Sequence, residues 1–314
     1  MKKTIKSDQP LVTVIMTAFC AGRFIDEAIA SILNQTYTNF ELLIVDDGSS
    51  DNTWKRIKLF TKIDKRIKSF RLTKNLGPSG ASNFALAKAR GTYIARMDAD
   101  DIATPDRLAK QVEFLESHPK VILIGGQCDL VDENGRNIGK KQFPLDHDDI
   151  TEALFMINPI QHPTWMFRKS VYEAAGITYE RRYLVSHDLN ILFGLLGKGR
   201  FANIPDTILS YRFRPNSITH KDPKRSFAET AQIRHRALQN GFRPSLRALA
   251  MHIAQLGIVF ILPTVVINKL FALWRIQSTK TAPRFIPAAI GNRYKVALSA
   301  ATALLVALLP GQTK

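Results

Sequence analysis

The stretch TYIARMDADD, residues 92–101, combines a buried-strand pattern with three carboxylates at its end. Asp98, Asp100 and Asp101 fall within four residues, so their mutual repulsion costs stability unless a cation lies among them. Side chains two apart in a strand share a face, so Asp98 and Asp100 would converge if the extended backbone continues. Hard divalent cations take one or two carboxylates and complete their shell with water and phosphate oxygens. A metal site and a solvated acidic loop before a helix near Pro105 both fit this pattern.

Strand and helix patterns alternate over the ninety residues before this stretch. Continuous apolar runs predict buried strands, and apolar residues at a spacing of three and four predict helices. The expected strands are 11–16, 41–46, 67–72 and 93–97, and the expected helices are 24–34, 54–62 and 81–90, with a loop at 75–80. This alternation predicts an α/β fold whose mostly parallel sheet is flanked by helices.

Polar and turn residues cluster where the predicted strands end. These clusters are residues 17–19, 46–51, 75–80 and 98–101. Parallel sheets bind ligands in the crevice at the carboxyl ends of their strands. The sequence therefore predicts one ligand crevice that these four segments share.

Several segments resemble the family 2 glycosyltransferases, in the order and spacing of that family's nucleotide-sugar domain. They are VTVIMTAF (12–19), SILNQTY (31–37), LIVDDGSSD (43–51), NLG (75–77) and DADD (98–101). The resemblance covers roughly the first 220 residues. It implies a GT-A fold and an enzyme that transfers a hexosyl or N-acetylhexosaminyl group from a nucleotide diphosphate sugar, with a UDP-sugar expected. It also implies inversion at the anomeric carbon, a Mn²⁺ or Mg²⁺ cofactor and no covalent intermediate.

The resemblance assigns roles at the donor site residue by residue. Thr17 and Phe19 match positions that line the nucleobase pocket, and Phe19 stands where a tyrosine is frequent. Asp47 matches the residue that contacts the uracil edge, although it could also simply cap a turn. Asp98 matches the ribose-contacting acid, and Asp100 matches the metal ligand.

Three further positions are expected near the diphosphate. Asn75 opens a motif in which Ser82 stands where an arginine is common. Arg212 and Arg214 belong to a segment that resembles the one closing the catalytic domain over the diphosphate. Histidine is frequent where Arg214 stands; arginine stays protonated and cannot ligate a metal, but it can hold a pyrophosphate. Either arginine could instead be a surface residue, and the nearby His220 does not match the motif.

The acceptor side is expected downstream. The segment QHPTWMFR (161–168) looks like the family's central strand, and SHDLN (186–190) occupies the place of its catalytic motif. Inversion by direct displacement requires a base for the proton of the acceptor hydroxyl, and a positioned carboxylate contributes roughly 10²–10⁴-fold. Asp188 matches this base and could also cap a helix. His187 replaces the usual glutamate; it would weaken the base if protonated and could contact the acceptor sugar if neutral.

The charge distribution divides the chain. Of a net charge of +17, residues 221–314 hold 14 Lys/Arg against 2 Asp/Glu, whereas residues 1–220 hold 30 against 25. We therefore predict a catalytic domain at 1–220 and a basic, apolar helical extension at 221–314. Its basic residues interleave with aliphatic runs rather than aromatics, which argues against nucleic acid as a partner. Two cysteines and a start without a secretory signal favour a cytoplasmic location.

The extension carries two apolar runs flanked by basic residues, at 249–273 and 296–309. Such segments attract an anionic membrane surface, which predicts association with the cytoplasmic face of the cell membrane and a glycan or polyprenyl-linked acceptor. Lying in the interface, re-entering and spanning all remain open, as does a helical appendage packed on the catalytic domain. The alternative function is a non-catalytic sugar-nucleotide-binding or scaffold protein that retains the fold.

Overall fold

A computed structural model of the protein describes residues 9–214, 217 and 222–261. Within these ranges nine strands form one sheet, flanked by nine α-helices. The strands are β1 Val12–Ala18, β2 Phe40–Asp46, β3 Ile67–Arg71, β4 Tyr93–Asp98, β5 Ile102–Ala103, β6 Val121–Val131, β7 Asn137–Lys141, β8 Met166–Arg168 and β9 Arg200–Arg212. The helices are α1 Ile25–Leu33, α2 Thr53–Ile63, α3 Gly77–Leu86, α4 Arg107–Ser117, α5 His147–Ala153, α6 Lys169–Ala174, α7 His187–Leu195, α8 Pro223–Gln239 and α9 Leu246–Ile261.

Four parallel strands form the first half of the sheet, in the order β3-β2-β1-β4. β2 is buried along its whole length, as expected for a parallel strand with helices on both faces. Its residues alternate between two cores: Leu42 and Ile44 pack in one cluster with the apolar face of α1. Leu43 and Val45 pack on the opposite face, in the cluster that includes α3. The predicted α/β fold with a mostly parallel sheet is confirmed.

The second half of the sheet is mixed. β8 runs antiparallel to both β4 and β6, while β6 and β9 are parallel. β8 therefore lies in the centre of the sheet. A short 3₁₀ turn at His162–Thr164 precedes it, within the segment 161–168. β5 pairs with β9, which brings the end of β9 next to the acidic stretch after β4.

Two details differ from the sequence-based prediction. α3 starts at Gly77, inside the predicted loop, because Pro78 fits the first turn of a helix, and it ends at Leu86 rather than Arg90. The extended backbone does not continue past β4, because the chain turns at residues 99–100 before β5. Asp98 and Asp100 therefore do not share one strand face.

Helices α8 and α9, from the predicted extension, pack against the rest of the chain. Gln255 on α9 donates its side-chain N–H to the carbonyl of Met156 at 2.8 Å. Leu249 is buried in a small cluster around Phe155. A helical appendage packed on the sheet domain, one of the two readings of the sequence, therefore describes residues 223–261.

No helix within residues 9–214, 217 and 222–261 is long and apolar enough to cross a membrane. The first apolar run is described as far as Ile261, within α9. Its remainder (262–273), the second run (296–309) and His220 lie outside the described residues.

Candidate active site

The carboxyl ends of three neighbouring strands meet at one edge of the sheet. In the register, Thr17 on β1 pairs with Asp98 on β4, and Ala18 pairs with Asp46 on β2. Asp47 follows directly and donates its backbone N–H to the Ala18 carbonyl at 2.8 Å. Thr17, Asp47 and Asp98 therefore lie along one crevice, the usual ligand site of such sheets.

The loop after β1 presents an aromatic ring at this edge. Phe19 is 51% exposed, although large apolar side chains at strand ends are usually buried. The next residue, Cys20, has a φ of 49° and is the one non-glycine residue with positive φ in the described part of the chain. Its N–H donates to Ser49 Oγ at 2.9 Å, which ties this loop to the turn after β2. The fixed, exposed ring offers a stacking surface for a planar ligand.

Asp47 links the turn after β2 to the start of α3. Its Oδ1 accepts the N–H of Leu76 at 2.7 Å, and its side chain is almost fully buried. Burial raises the pKa of Asp47, although these backbone N–H donors oppose the shift. Asn75 is exposed, and its Oδ1 accepts the N–H of Gly77 at 2.8 Å.

Two arginines pair with carboxylates at the end of β4 and in the turn after it. Arg96 Nη2 lies 3.5 Å from Asp98 Oδ1, and Arg214 Nη2 lies 2.5 Å from Asp100 Oδ2. Burial raises the pKa of Asp98, and the charge of Arg96 opposes this. Burial also raises the pKa of Asp101 well above its usual range, with further contributions from the two neighbouring carboxylates. These arginines supply the cationic partners that the cluster requires in the absence of a ligand.

Arg212 is fixed in place by many hydrogen bonds. Its backbone N–H donates to Asp101 Oδ1, and its Nε donates to the Asp100 carbonyl, both at 2.8 Å. Its Nη2 pairs with Glu27 on α1 at 2.7 Å, and its Nη1 donates to the carbonyl of Glu133 at 3.0 Å. The residue is 4% exposed. This geometry makes Arg212 the clamp that joins β9, α1 and the acidic turn.

The acidic turn, residues 98–101, fits a divalent cation whose remaining positions are filled by phosphate oxygens and water. Among the residues that the structure describes, no three His, Cys, Asp or Glu side chains converge as a complete metal cage. The Asp100 side chain is 16% exposed beside Arg214, and Asp98, two residues earlier, has a side chain that is 36% exposed. One or two carboxylates plus phosphate oxygens and water form the usual shell of Mg²⁺.

Asp188 sits in the first turn of α7. Its Oδ1 accepts the N–H of Leu189 at 2.8 Å, and its Oδ2 accepts Asn158 Nδ2 at 2.6 Å. Burial raises the pKa of Asp188 to about 6; the hydrogen bonds oppose this rise and the charge of Asp98 adds to it. A carboxylate with this pKa is ionised at neutral pH and is still a stronger base than a solvated aspartate.

Glu229 on α8 holds the loop that leads to Asp188. Its carboxylate accepts the backbone N–H groups of Leu184, Val185 and Ser186 at 2.8–3.1 Å. Three N–H bonds to one buried carboxylate fix the chain direction just before α7. The sequence analysis missed Glu229, because nothing in its spacing connects it with residues forty positions earlier.

His187 is buried among aromatic side chains behind Asp188. Its ring centroid lies 5.3 Å from that of His162 and 5.5 Å from that of Tyr179. Burial, with the charge of Arg96, lowers the pKa of His187 to about 4, and the same two causes lower that of His162. Both histidines are therefore neutral at pH 7, so His187 does not weaken Asp188 as a base.

Arg96 is the second residue that sequence reasoning missed. It is 1% exposed, and its Nε and Nη1 have no hydrogen-bond partner among the described residues. It lies two residues before Asp98 in β4, so a period of two already placed both side chains on one face. Ser82, in contrast, is fully buried in α3 and donates to the Pro78 carbonyl at 2.6 Å, so it lies within the helix packing.

Comparisons with solved structures identify the fold. A crystal structure of TarS residues 1–349 from S. aureus in complex with UDP aligns with a TM-score of 0.61, covering 81% of this chain and 73% of that one. The mannosyltransferase PcManGT from Pyrobaculum calidifontis, in complex with GDP-Man and Mn²⁺, aligns with a TM-score of 0.58 over 96% of this chain and 86% of that one. Both are 18% identical to this chain, so the likeness concerns the fold, which is GT-A.

Sequence comparisons identify the family. The O-antigen biosynthesis glycosyltransferase WbnJ of Escherichia coli is 34% identical over 219 residues, which cover 67% of this chain and 82% of that protein. The profile of Glycosyl transferase family 2 matches residues 13–176, just over half of the chain. The strand-end crevice and its carboxylates lie within that match, and the chain belongs to the family 2 glycosyltransferases.

Proposed function

We propose that this glycosyltransferase transfers a sugar, with inversion, from a nucleotide diphosphate sugar to a glycan or lipid-linked acceptor at the cytoplasmic face of the membrane. A single observation carries the proposal. Asn158 and the Leu189 N–H hold Asp188 at the start of α7, and burial, with a smaller contribution from the charge of Asp98, raises its pKa to about 6. A base that is ionised at neutral pH therefore lies within electrostatic reach of the acid that would bind the ribose.

The donor nucleotide would lie across the ends of β1, β2 and β4. Phe19 would stack on the base, with Thr17 beside it, and Asp47 would contact the edge of the base. Asp98 would bind the ribose. We favour a UDP-sugar, and the complexes of TarS with UDP and with UDP-GlcNAc, which share this fold, support that choice. The GDP-Man complex of PcManGT makes a guanosine donor the second possibility.

The diphosphate would lie between the acidic turn and the end of β9. Arg214 is 34% exposed in its side chain and can present two N–H groups to phosphate oxygens. Arg212 has its donors engaged by protein groups, so we assign it the positioning of this turn rather than a contact with the ligand. The exposed Asn75, at the start of α3, would border the same end of the crevice.

Asp100, with Asp98 beside it, would hold Mn²⁺ or Mg²⁺ together with the diphosphate. The bound cation supplies positive charge that neutralises the diphosphate as it leaves the sugar. The Mn²⁺ in the PcManGT complex supports this assignment.

The transfer step needs a base on the acceptor side. Asp188 would take the proton of the acceptor hydroxyl while that oxygen forms its bond to the anomeric carbon. The bond from this carbon to the phosphate oxygen breaks on the opposite side, and the nucleoside diphosphate leaves. Asn158 and the Leu189 N–H hold the two oxygens of Asp188, so its orientation is set before the acceptor binds.

An acceptor at the membrane would explain the exposed apolar side chains of α9. This helix buries one apolar face against the domain, yet Leu246, Ile253, Ile258 and Ile261 are 42–81% exposed. An exposed apolar face next to basic residues favours an anionic lipid surface. WbnJ, named for O-antigen biosynthesis, supports an acceptor of the surface-polysaccharide class.

A panel of nucleotide sugars tests the proposal. Purified protein is incubated with UDP- and GDP-sugars and Mn²⁺, and release of nucleoside diphosphate is measured over hours. We expect slow hydrolysis of one donor class, abolished by EDTA and reduced at least tenfold by Asp98→Asn. Absence of binding and hydrolysis with every donor would contradict the donor site.

A further inference from the structure

Arg214 forms an ion pair with Asp100, the residue proposed to bind the cation. Arg214 Nη2 lies 2.5 Å from Asp100 Oδ2, so this oxygen already has a charged partner. A divalent cation cannot take the same oxygen while the guanidinium remains there, because two positive charges this close to each other repel strongly.

The two arginines at this end of β9 are held differently. Arg212, the last residue of β9, has protein partners on its three guanidinium nitrogens. Arg214 lies past the last residue of the strand, and its Nε has no hydrogen-bond partner within the described residues. Its guanidinium carbon lies 5.6 Å from the centroid of the Phe24 ring, a contact that tolerates sliding. Arg214 is therefore the arginine that can change partners.

A diphosphate offers Arg214 a better partner than Asp100. It carries at least two negative charges and several oxygens, which suit the planar guanidinium fork. A ligand that pairs with Arg214 frees the Asp100 carboxylate at the same moment. The binding of a cation at Asp100 and of a diphosphate at Arg214 would then favour each other, because each removes an obstacle to the other.

We propose that Arg214 couples cation binding to donor binding: it covers Asp100 when no diphosphate is present and moves to the phosphates when the donor binds. This inference rests on the cation site at Asp100 that is part of the proposed function. Its consequence is that the protein without nucleotide has a low affinity for Mn²⁺, and that donor and cation enter as a pair.

Mn²⁺ affinity tests this coupling; it is measured by the electron paramagnetic resonance signal of free Mn²⁺ with and without UDP, after correction for the Mn²⁺–UDP complex that forms without protein. In the parent protein we expect UDP to raise the affinity for Mn²⁺ about tenfold or more. In Arg214→Ala, Mn²⁺ without UDP should bind about tenfold more tightly than in the parent, and the further gain from UDP should shrink. Arg214→Lys, which keeps the charge, should restore a low affinity for Mn²⁺ alone.

Arg200→Ala is the matched control. Arg200 also pairs with an aspartate, Asp148, at 3.6 Å, but it lies at the opposite end of β9, about 40 Å from Arg212 for thirteen extended residues. This variant should bind Mn²⁺ as the parent does, and circular dichroism should show all variants folded.

Two results would overturn the inference, and only the second would also contradict the cation site of the proposed function. Unchanged or weaker binding of Mn²⁺ alone to Arg214→Ala, with a normal gain from UDP, would remove the coupling and leave the cation site intact. Failure of the parent protein to bind Mn²⁺ even with saturating UDP would remove the cation site of the proposed function as well.

Discussion

Replacing Asp188 with asparagine should stabilise the protein while it slows transfer at least about a hundredfold. Burial raises the pKa of Asp188 from 3.8 to about 6, so the folded protein holds the proton more tightly than the unfolded chain. The variant should therefore have the same stability as the parent protein below about pH 4. Its extra stability should grow as the pH rises to about 6 and reach its full value above that. Asparagine carries no charge, so the variant escapes the cost that the ionised carboxylate imposes.

The magnitude follows from the size of the shift. A pKa shift of about two units corresponds to a gain in the free energy of unfolding of about 3 kcal/mol at most. We expect a gain of about 1–3 kcal/mol for Asp188→Asn, because the side chain keeps some contact with solvent. The hydrogen bonds survive the change: the new amide oxygen can accept from Leu189, and its NH₂ can donate to Asn158 Oδ1. That oxygen has no partner among the described residues. An Asn158 side-chain flip is all that this requires.

Chemical denaturation at pH 8 and pH 4, with the transfer rate at pH 8, measures both effects. Asp188→Asn should be more stable than the parent at pH 8, nearly equal at pH 4, and at least about a hundredfold slower in transfer. Asp148→Asn, with a side chain 84% exposed, is the charge-matched control and should change stability by less than about 0.5 kcal/mol. A variant that is less stable at pH 8, or whose gain does not depend on pH, would refute the burial argument.

Four further outcomes are expected. The parent's kcat/KM should rise with pH through about 6, because Asp188 must be ionised; a flat profile between pH 5 and 7 would exclude it as the base. Asp100→Asn should lose the Mn²⁺ enhancement of UDP binding in calorimetry, and an undiminished Mn²⁺ dependence would disprove the metal assignment. Glu229→Gln should slow transfer several-fold while leaving UDP affinity unchanged, since its carboxylate holds the loop before α7 and otherwise pairs with Arg225 on its own helix; equal losses in both would show a wider role. Truncation after Phe242, which removes α9 and both apolar runs, should release the protein from membranes in fractionation, and a truncated protein that still sediments with them would place the attachment elsewhere.

The parallel half of the sheet was predictable because its signals are local. Continuous apolar runs end in acids and turn residues, so the sequence alone placed β1, β2 and β4 and the segments at their carboxyl ends. The resemblance to the family then assigned roles within those segments. The start of α3 was misplaced because the helix begins with glycine and proline, which elsewhere mark loops.

The residues that hold the site residues in place could not be predicted from the sequence. Glu229 reaches a loop more than forty residues earlier, and Arg214 meets Asp100 only because β5 pairs with β9. Such contacts depend on tertiary packing, which no periodicity encodes. Arg96 was an exception, since its two-residue spacing from Asp98 in a predicted strand was visible from the start.

The anomeric configuration of the first-formed product tests the central claim most directly. With the donor found in the nucleotide-sugar panel and an acceptor alcohol, proton NMR of the transferred glycoside distinguishes the two anomers, because a glycoside does not interconvert between them. Direct displacement with Asp188 as the single base predicts a product of inverted configuration, β from an α-linked donor, formed at least about a hundredfold more slowly by Asp188→Asn. A product of retained configuration would contradict the account.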